Sequence, residues 1–234
     1  MEGFTRRARD ENGKPILVPK DMNYSQWREQ YMPKLLLEQG NNSKNKEKML
    51  WQEQNEILES KIIKPLLHKD KTKSYRINKY QNKIMQLYHK NGNENMAILD
   101  LKTGNLIGNI TEGEKRTNVG PDRITTIKLL TRTKNSVIAI HNHPENYSFS
   151  LTDIISFNKI KQIDTMILLT DNYKYYLKAN NVNKYSSDYI TKVYNNIEKD
   201  IKKTYNYLNN IEKRDLINQK FFKKVGWIYE KEKN

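Results

Sequence analysis

Residues 138–155 read IAIHNHPENYSFSLTDII, and this stretch sets most expectations about the chain. Alternate residues of an extended segment point to the same side, so His141 and His143 are expected to converge where the apolar run ends. Ser150 is placed as the N-cap of a following helix, with Asp153 in its first turn, where a carboxylate is favoured. Two imidazoles and one carboxylate predict a zinc site with its fourth position open to water, the catalytic arrangement.

Each fragment of this pattern also occurs without function. Histidines end strands as ordinary polar residues, and Ser-x-x-Asp often caps a helix and does nothing more. The two fragments occur here in order, between a predicted strand and a predicted helix, and this favours the metal site. The other two histidines, His68 and His89, lack metal-ligand spacing, and His89 lies near a helix C-terminus, where a cation is favoured.

The composition limits the classes of protein to consider. The chain has 234 residues, 36% hydrophobic and 29% charged, which suits one moderate core with extensions or two small domains. Cysteine is absent, so disulfides and thiolate metal sites are excluded and a zinc site must use histidine and carboxylate. No apolar run approaches about 18 residues, so we expect no membrane partner, and the N-terminal segment does not resemble a signal peptide.

The charge allows a nucleic-acid partner without favouring one. A formal net charge of +15 would bring affinity for phosphate through counterion release. However, the lysines are scattered through a chain rich in Lys, Asn, Ile and Tyr, and there is no arginine cluster or glycine-aromatic RNA signature.

The pattern along the chain predicts an α/β fold with a mixed sheet, flanking helices and helical extensions at both ends. We divide it into an N-terminal part (1–75), a core (76–182) and a C-terminal helical extension (183–234). Within the first part, residues 1–22 are expected to be extended. Helices are predicted in the first part over 21–40 and 46–66, then over 75–92, 121–133 and 151–162, and from about 186 to the end. Strands are predicted over 95–110, with KTGN as a hairpin turn, and over 136–141, 164–171 and 173–179.

The stretch HNHPENYSFSLTD resembles the signature of the JAB/MPN (JAMM) metalloproteases: an upstream Glu, then His-x-His-Pro, then Ser-x-x-Asp. The resemblance covers about residues 76–180 and implies a cytidine-deaminase-like mixed sheet. It implies that His141, His143 and Asp153 bind zinc, and that Ser150 hydrogen-bonds the tetrahedral intermediate. One departure is visible, because six residues separate His143 from Ser150 where the family has about seven.

The upstream acid has several candidates. The family places it at the start of the first core strand, and Glu94 directly precedes NMAILDL. Glu112 and Glu114 are rivals at the far end of the second hairpin strand, and Asp100 is expected inside a strand near the turn. We therefore prefer Glu94 as the general base.

The resemblance implies a zinc-dependent hydrolase that cleaves a peptide or isopeptide bond, with ubiquitin-like proteins among the candidate substrates. NGKPILVPKDMNYSQWREQYMPK and VGWIYEKE resemble segments flanking such domains in phage minor head (head-morphogenesis) and mobile-element proteins. This implies phage or host protein partners for the helical flanks, in the bacterial cytoplasm or the virion. Two alternatives stay open: an inactive MPN-like structural or assembly protein, and a basic nucleic-acid-associated protein like the RadC family.

The loop PENYSF, residues 144–149, is expected to preorganise the site. Pro144 biases His143 toward an extended conformation. Tyr147 and Phe149 are predicted to anchor the loop by packing down, which offsets the entropy lost on ordering it. Asn142 is expected to point to the other side of the strand and to help hold the turn.

Overall fold

The computed structural model describes residues 4–9, 15–19, 67, 69–114, 119–179 and 185–234. The chain divides into two compact units, residues 1–59 and 60–234. In the first unit, strands β1 (Phe4–Arg9) and β2 (Pro15–Pro19) pair antiparallel, which confirms extended structure in these two segments. The helices predicted over 21–40 and 46–66 lie outside the described residues.

The second unit is a mixed α/β structure. Its described residues form one six-stranded sheet, in the order β4-β3-β5-β6-β7-β8, and five helices. The strands are β3 (Asn95–Asp100), β4 (Thr111–Glu112), β5 (Val137–Asn142), β6 (Ile163–Leu169), β7 (Tyr173–Lys178) and β8 (Ile228–Lys233). The helices are α1 (Lys71–Asn91), α2 (Arg123–Leu130), α3 (Leu151–Lys159), α4 (Ser187–Thr204) and α5 (Asn210–Val225). No helix within these described stretches is long and apolar enough to cross a membrane.

Helix α1 ends at Gly92 as its sequence predicts, but it begins at Lys71, four residues before the predicted start. The Asp70 side chain accepts a hydrogen bond from the Lys73 N–H, and Gly92 ends the helix in the left-handed region with φ of 71°. Ile77 and Ile84 are fully buried on one side of the helix. They join a core cluster with alternate residues of the central strands: Ala97, Leu99, Ile138, Ile140, Ile167, Leu169 and Tyr176.

The opposite face of the sheet carries an aromatic cluster. Tyr175 alternates with Tyr176 along β7 and so points away from α1. The Tyr175 ring stacks on Tyr229, and Tyr229 lies 5.1 Å (ring centroids) from Phe222 of α5. The sheet therefore has a helix on each face.

The centre of the sheet holds its one parallel pair among the described strands, β5 with β6, and α3 makes the crossover between them. Each other pairing is antiparallel. This topology places the end of β5, the start of β3 and the start of α3 together, at the same end of the central strands. These three points carry the residues that the sequence singled out.

The predicted hairpin is present, but its second strand is short. The turn after β3 contains Gly104, and Leu106 makes one isolated bridge back to Leu99. Regular pairing resumes only at Thr111 and Glu112. The close approach of Gly108 to α2 explains the interruption, because a Cβ at Gly108 would lie 2.2 Å from the Thr125 Oγ1.

The prediction of helix from about 186 to the end was wrong for the last segment. Gly226 ends α5 with φ of 70°, and Ile228–Lys233 then pairs antiparallel with β7. The helical pattern was extended through this segment, but Tyr229 donates a hydrogen bond to Asp215 and Lys231 forms an ion pair with it. Contacts with residues outside the segment thus stabilise it as a strand. The helical prediction for the residues before it is confirmed by α4 and α5.

Candidate metal centre

His141 is the most deeply buried of the three candidate metal ligands. It is the fifth residue of β5 and is 2% exposed. Neither ring nitrogen has a hydrogen-bond partner among the described residues. Its Nε2 lies 3.5 Å from Asp153 Oδ1, outside hydrogen-bond geometry. Buried polar atoms nearly always have a hydrogen-bond partner. Two imidazole nitrogens without one therefore indicate that the partner of His141 is a ligand from outside the protein.

Asp153 is held at the start of α3 by a reciprocal capping box. Ser150 Oγ accepts a hydrogen bond from the Asp153 N–H at 3.1 Å, and Asp153 Oδ2 accepts from the Ser150 N–H at 2.7 Å. Ser150 Oγ also donates to Oδ2, at 2.7 Å. Both bonds to the carboxylate fall on Oδ2, and Oδ1 faces His141.

His143 follows β5 directly, and its side chain lies beside those of His141 and Asp153. Its Nδ1 lies 3.2 Å from the Tyr147 carbonyl oxygen, which it can reach as a donor, and its Nε2 lies 3.3 Å from Asp153 Oδ2. The ring centroids of His141 and His143 are 5.1 Å apart. A backbone hydrogen bond on Nδ1 directs Nε2 toward the centre, the second contact that metal-binding histidines usually have.

The pKa values of the carboxyl and imidazole groups in this cluster depend on one another. Burial opposes ionisation of Asp153, but His141 and His143 outweigh it and hold the pKa of this carboxyl well below its usual range. Burial likewise opposes protonation of His143, and the Asp153 and Glu94 carboxylates outweigh it and raise the pKa of that imidazole. The carboxylates and imidazoles of the site therefore stabilise one another's charged forms.

The three side chains form a group that could hold a metal ion. His141, His143 and Asp153 each offer one ligand atom, and these atoms all lie within 4.8 Å of one another. The donor set, two imidazole nitrogens and one carboxylate oxygen, fits a transition-metal dication, and His141 can offer one nitrogen to it without breaking a hydrogen bond.

Glu94 lies beside this group. It directly precedes β3, it is 9% exposed, and its Oε1 lies 3.7 Å from His143 Nε2. Burial raises the pKa of Glu94, and the two histidines partly offset this. A carboxyl with a raised pKa next to a metal-ligand group has the properties of a proton acceptor and donor.

The rival acids lie elsewhere. Glu112 is exposed on β4, where its carboxylate accepts a hydrogen bond from Asn91 at 3.4 Å, and Glu114 is also exposed. Asp100 ends β3 at the end opposite Glu94, and pairs with Thr103 and Arg132. Of the four acids, only Glu94 has an ion-pair contact with the histidine cluster. His68 lies outside the described residues, and His89 pairs with Asp171.

The loop between His143 and Ser150 is held from three directions. The Tyr88 hydroxyl donates to the Pro144 carbonyl at 2.9 Å, and the Asn172 N–H donates to the Asn146 side chain at 3.1 Å. From α5, the Asn218 amide nitrogen donates to Ser148 Oγ and to the Phe149 carbonyl, both at 2.8 Å. The loop is thus hydrogen-bonded to α1, the β6–β7 turn and α5.

Phe149 anchors this loop as its sequence predicts. The ring is fully buried, with its centroid 6.3 Å from those of His141, Phe222 and Tyr229. Tyr147 is only half-buried, and Arg214 lies 5.6 Å from its ring centroid. One of the two predicted anchors is therefore a core residue, and the other lies at the surface.

Sequence reasoning missed Tyr88 and Asn218. Both are far from the loop in the chain, by 56 residues for Tyr88 and Pro144 and by 69 for Asn218 and Phe149. One signal was present for Asn218: it is a polar residue on the apolar side of a helix, next to Ile217.

Comparisons with protein-family models, with curated proteins and with solved structures find no match to this chain. The function therefore has to be argued from the site itself.

Proposed function

We propose that this protein is a zinc-dependent hydrolase of the JAMM type that cleaves a peptide or isopeptide bond. The observation that carries the proposal is His141, a buried imidazole whose two nitrogens make no hydrogen bond to the described residues and which faces His143 and Asp153. Two histidines and one carboxylate are a catalytic zinc ligand set, because three protein ligands leave a coordination position open. The adjacent buried Glu94 supports hydrolysis over a purely structural site.

Each residue has a separate task in this proposal. His141, His143 and Asp153 would hold the zinc, which when bound acts as a Lewis acid that lowers the pKa of water and polarises a carbonyl group. Glu94 takes a proton from the attacking water and returns it to the leaving amine. Ser150 donates its hydroxyl to the developing oxyanion, for which it must turn away from Asp153 Oδ2.

The donor chemistry supports zinc as the metal. Magnesium and calcium prefer sites made wholly of oxygen, whereas imidazole suits zinc and other late transition metals. With two of three donors being imidazole, zinc is the ion we expect.

The test combines metal analysis with cleavage assays on the full chain. After reconstitution with zinc, wild type and Glu94→Gln are expected to bind one equivalent, while His141→Ala and Asp153→Ala lose most of it. Cleavage of a ubiquitin–lysine isopeptide conjugate or of a peptide mixture is expected from wild type. In Glu94→Gln it should fall by roughly 10²–10⁴-fold, the usual contribution of a general base.

Two results would contradict the proposal. Failure of wild type to bind zinc after reconstitution removes the metal site. Zinc binding without cleavage of either probe, and without any difference between wild type and Glu94→Gln, would favour an inactive MPN-like assembly protein instead.

A further inference from the structure

Asn142 lies between the two histidines, and its side chain reaches the start of β3. Its Oδ1 accepts the N–H of Asn95 at 2.8 Å, and its Nδ2 donates to the Asn93 carbonyl at 3.1 Å. These two backbone groups belong to the residues on either side of Glu94. The amide of Asn142 therefore holds the backbone around Glu94 from both sides.

The position in the sheet explains why a side chain does this. Backbone pairing between β3 and β5 ends at Met96 and His141. The next pair in this register is Asn95 with Asn142, where the Asn142 amide supplies the acceptor for Asn95. Asn95 and Asn142 are both 0% exposed, so removing the Asn142 amide leaves a buried N–H without its protein partner.

The geometry points to Asn142 as a positioning residue that fixes Glu94 relative to the metal-binding histidines; this rests on the hydrolase function proposed above. His141, Asn142 and His143 are consecutive, so the chain segment that supplies two metal ligands also supplies the clamp on the base. Catalytic groups displaced by about 1 Å can lose roughly 10²-fold in rate, so loss of such a clamp is expected to slow catalysis as well as to lower stability.

The chain contains a matched control, Asn158 of α3. It is 4% exposed and makes the same pair of bonds to one backbone segment: its Nδ2 donates to the Tyr185 carbonyl at 2.6 Å and its Oδ1 accepts the Tyr185 N–H at 3.1 Å. It takes no part in the candidate metal centre. Asn158→Ala thus removes equivalent hydrogen bonds without touching the surroundings of Glu94.

The experiment compares wild type, Asn142→Ala, Asn158→Ala, Glu94→Gln and the Glu94→Gln/Asn142→Ala double variant, each loaded with zinc. Asn142→Ala and Asn158→Ala are expected to lower the melting temperature by similar amounts and to keep zinc affinity within about threefold of wild type. With the isopeptide conjugate, Asn142→Ala should lower kcat roughly tenfold to hundredfold with little change in KM. In the Glu94→Gln background the same substitution should lower the residual rate no further.

The inference is overturned if Asn158→Ala lowers kcat as much as Asn142→Ala, or if Asn142→Ala lowers the rate equally in both backgrounds. Should wild type bind zinc but cleave no probe, the hydrolase function fails, and amide hydrogen exchange still decides the positioning role. Faster exchange at Asn95 in Asn142→Ala, with zinc affinity unchanged, supports the clamp. Unchanged exchange at Asn95 refutes it.

Discussion

Asp153 shows how one carboxylate can serve two purposes at once. Its Oδ2 accepts both Ser150 hydrogen bonds, at 2.7 Å each, and Oδ1 faces His141. The helix cap and the candidate ligand therefore depend on the same side chain, and the cap fixes the rotamer that a metal would require. Ser150 thus acts on Asp153 directly, in addition to the oxyanion role proposed for it.

Replacing Ser150 with alanine should separate this role from ordinary capping. Loss of an N-cap costs about 0.5–2 kcal/mol of stability. Since Ser150 also orients Asp153, we expect zinc affinity to fall by roughly 10–100-fold as well. Thermal unfolding measures the first effect and chelator competition the second.

Ser186 provides the comparison for this substitution. It caps α4 by accepting a hydrogen bond from the Tyr189 N–H at 3.2 Å, and the metal cluster lies outside that helix. Ser186→Ala should lower stability to a similar extent and leave zinc affinity unchanged. Equal zinc affinity in Ser150→Ala and Ser186→Ala would show that Ser150 is only a cap.

At the scale of elements, local patterns were predictable and distant contacts were not. The strand that carries His141 and the Ser150 cap depend on near neighbours, so the sequence indicated both. Glu94 could be preferred over its rivals because it precedes an apolar strand, although only the sheet register places it beside His143. The contribution of Asn218 to the loop could not be inferred, since nothing near residue 218 specifies what that helix packs against.

The loop of residues 144–149 should tolerate no extra length. One glycine inserted between Tyr147 and Ser148 would shift Ser148 and Phe149 away from Asn218 and the aromatic cluster. We expect zinc affinity or activity to fall at least roughly tenfold, about 1.4 kcal/mol. A glycine inserted between Asn206 and Tyr207, in the turn between α4 and α5, serves as the control. If both insertions leave zinc binding intact, the loop is not preorganised.

At the scale of the second unit, the C-terminal strand belongs to the sheet and also packs on the loop beside the candidate metal centre. Tyr229 of β8 is 6% exposed, stacks on Tyr175 and donates to Asp215 at 2.6 Å. The Lys231 ammonium pairs with the same carboxylate at 2.6 Å. The segment that sequence reasoning assigned to a helical extension is thus part of the wall around Phe149, and it also covers the edge of β7.

Tyr229→Phe tests how much the Tyr229 hydroxyl contributes to the free energy of unfolding. The substitution keeps the ring and leaves Asp215 without one buried donor, so we expect a loss of about 1–3 kcal/mol in the free energy of unfolding. Zinc affinity should change little, because the ring still packs on Phe149. Tyr189→Phe, at a ring that is 41% exposed, is the comparison and should change stability by less than about 0.5 kcal/mol. Denaturant titration with circular dichroism gives both values, and equal stability of the two variants would exclude a structural role for the Tyr229 hydroxyl.

The anchors of the loop also bear on when the centre can form during synthesis. A nascent chain that has reached Thr204 already carries Glu94, both histidines and Asp153, but it lacks Asn218, Phe222 and Tyr229. On the ribosome the ligands would thus exist before the scaffold that aligns them, and such long-range contacts form late. Metal uptake is then expected to follow translation of β8, so that a stalled or truncated nascent chain would have the ligand residues but no loaded centre.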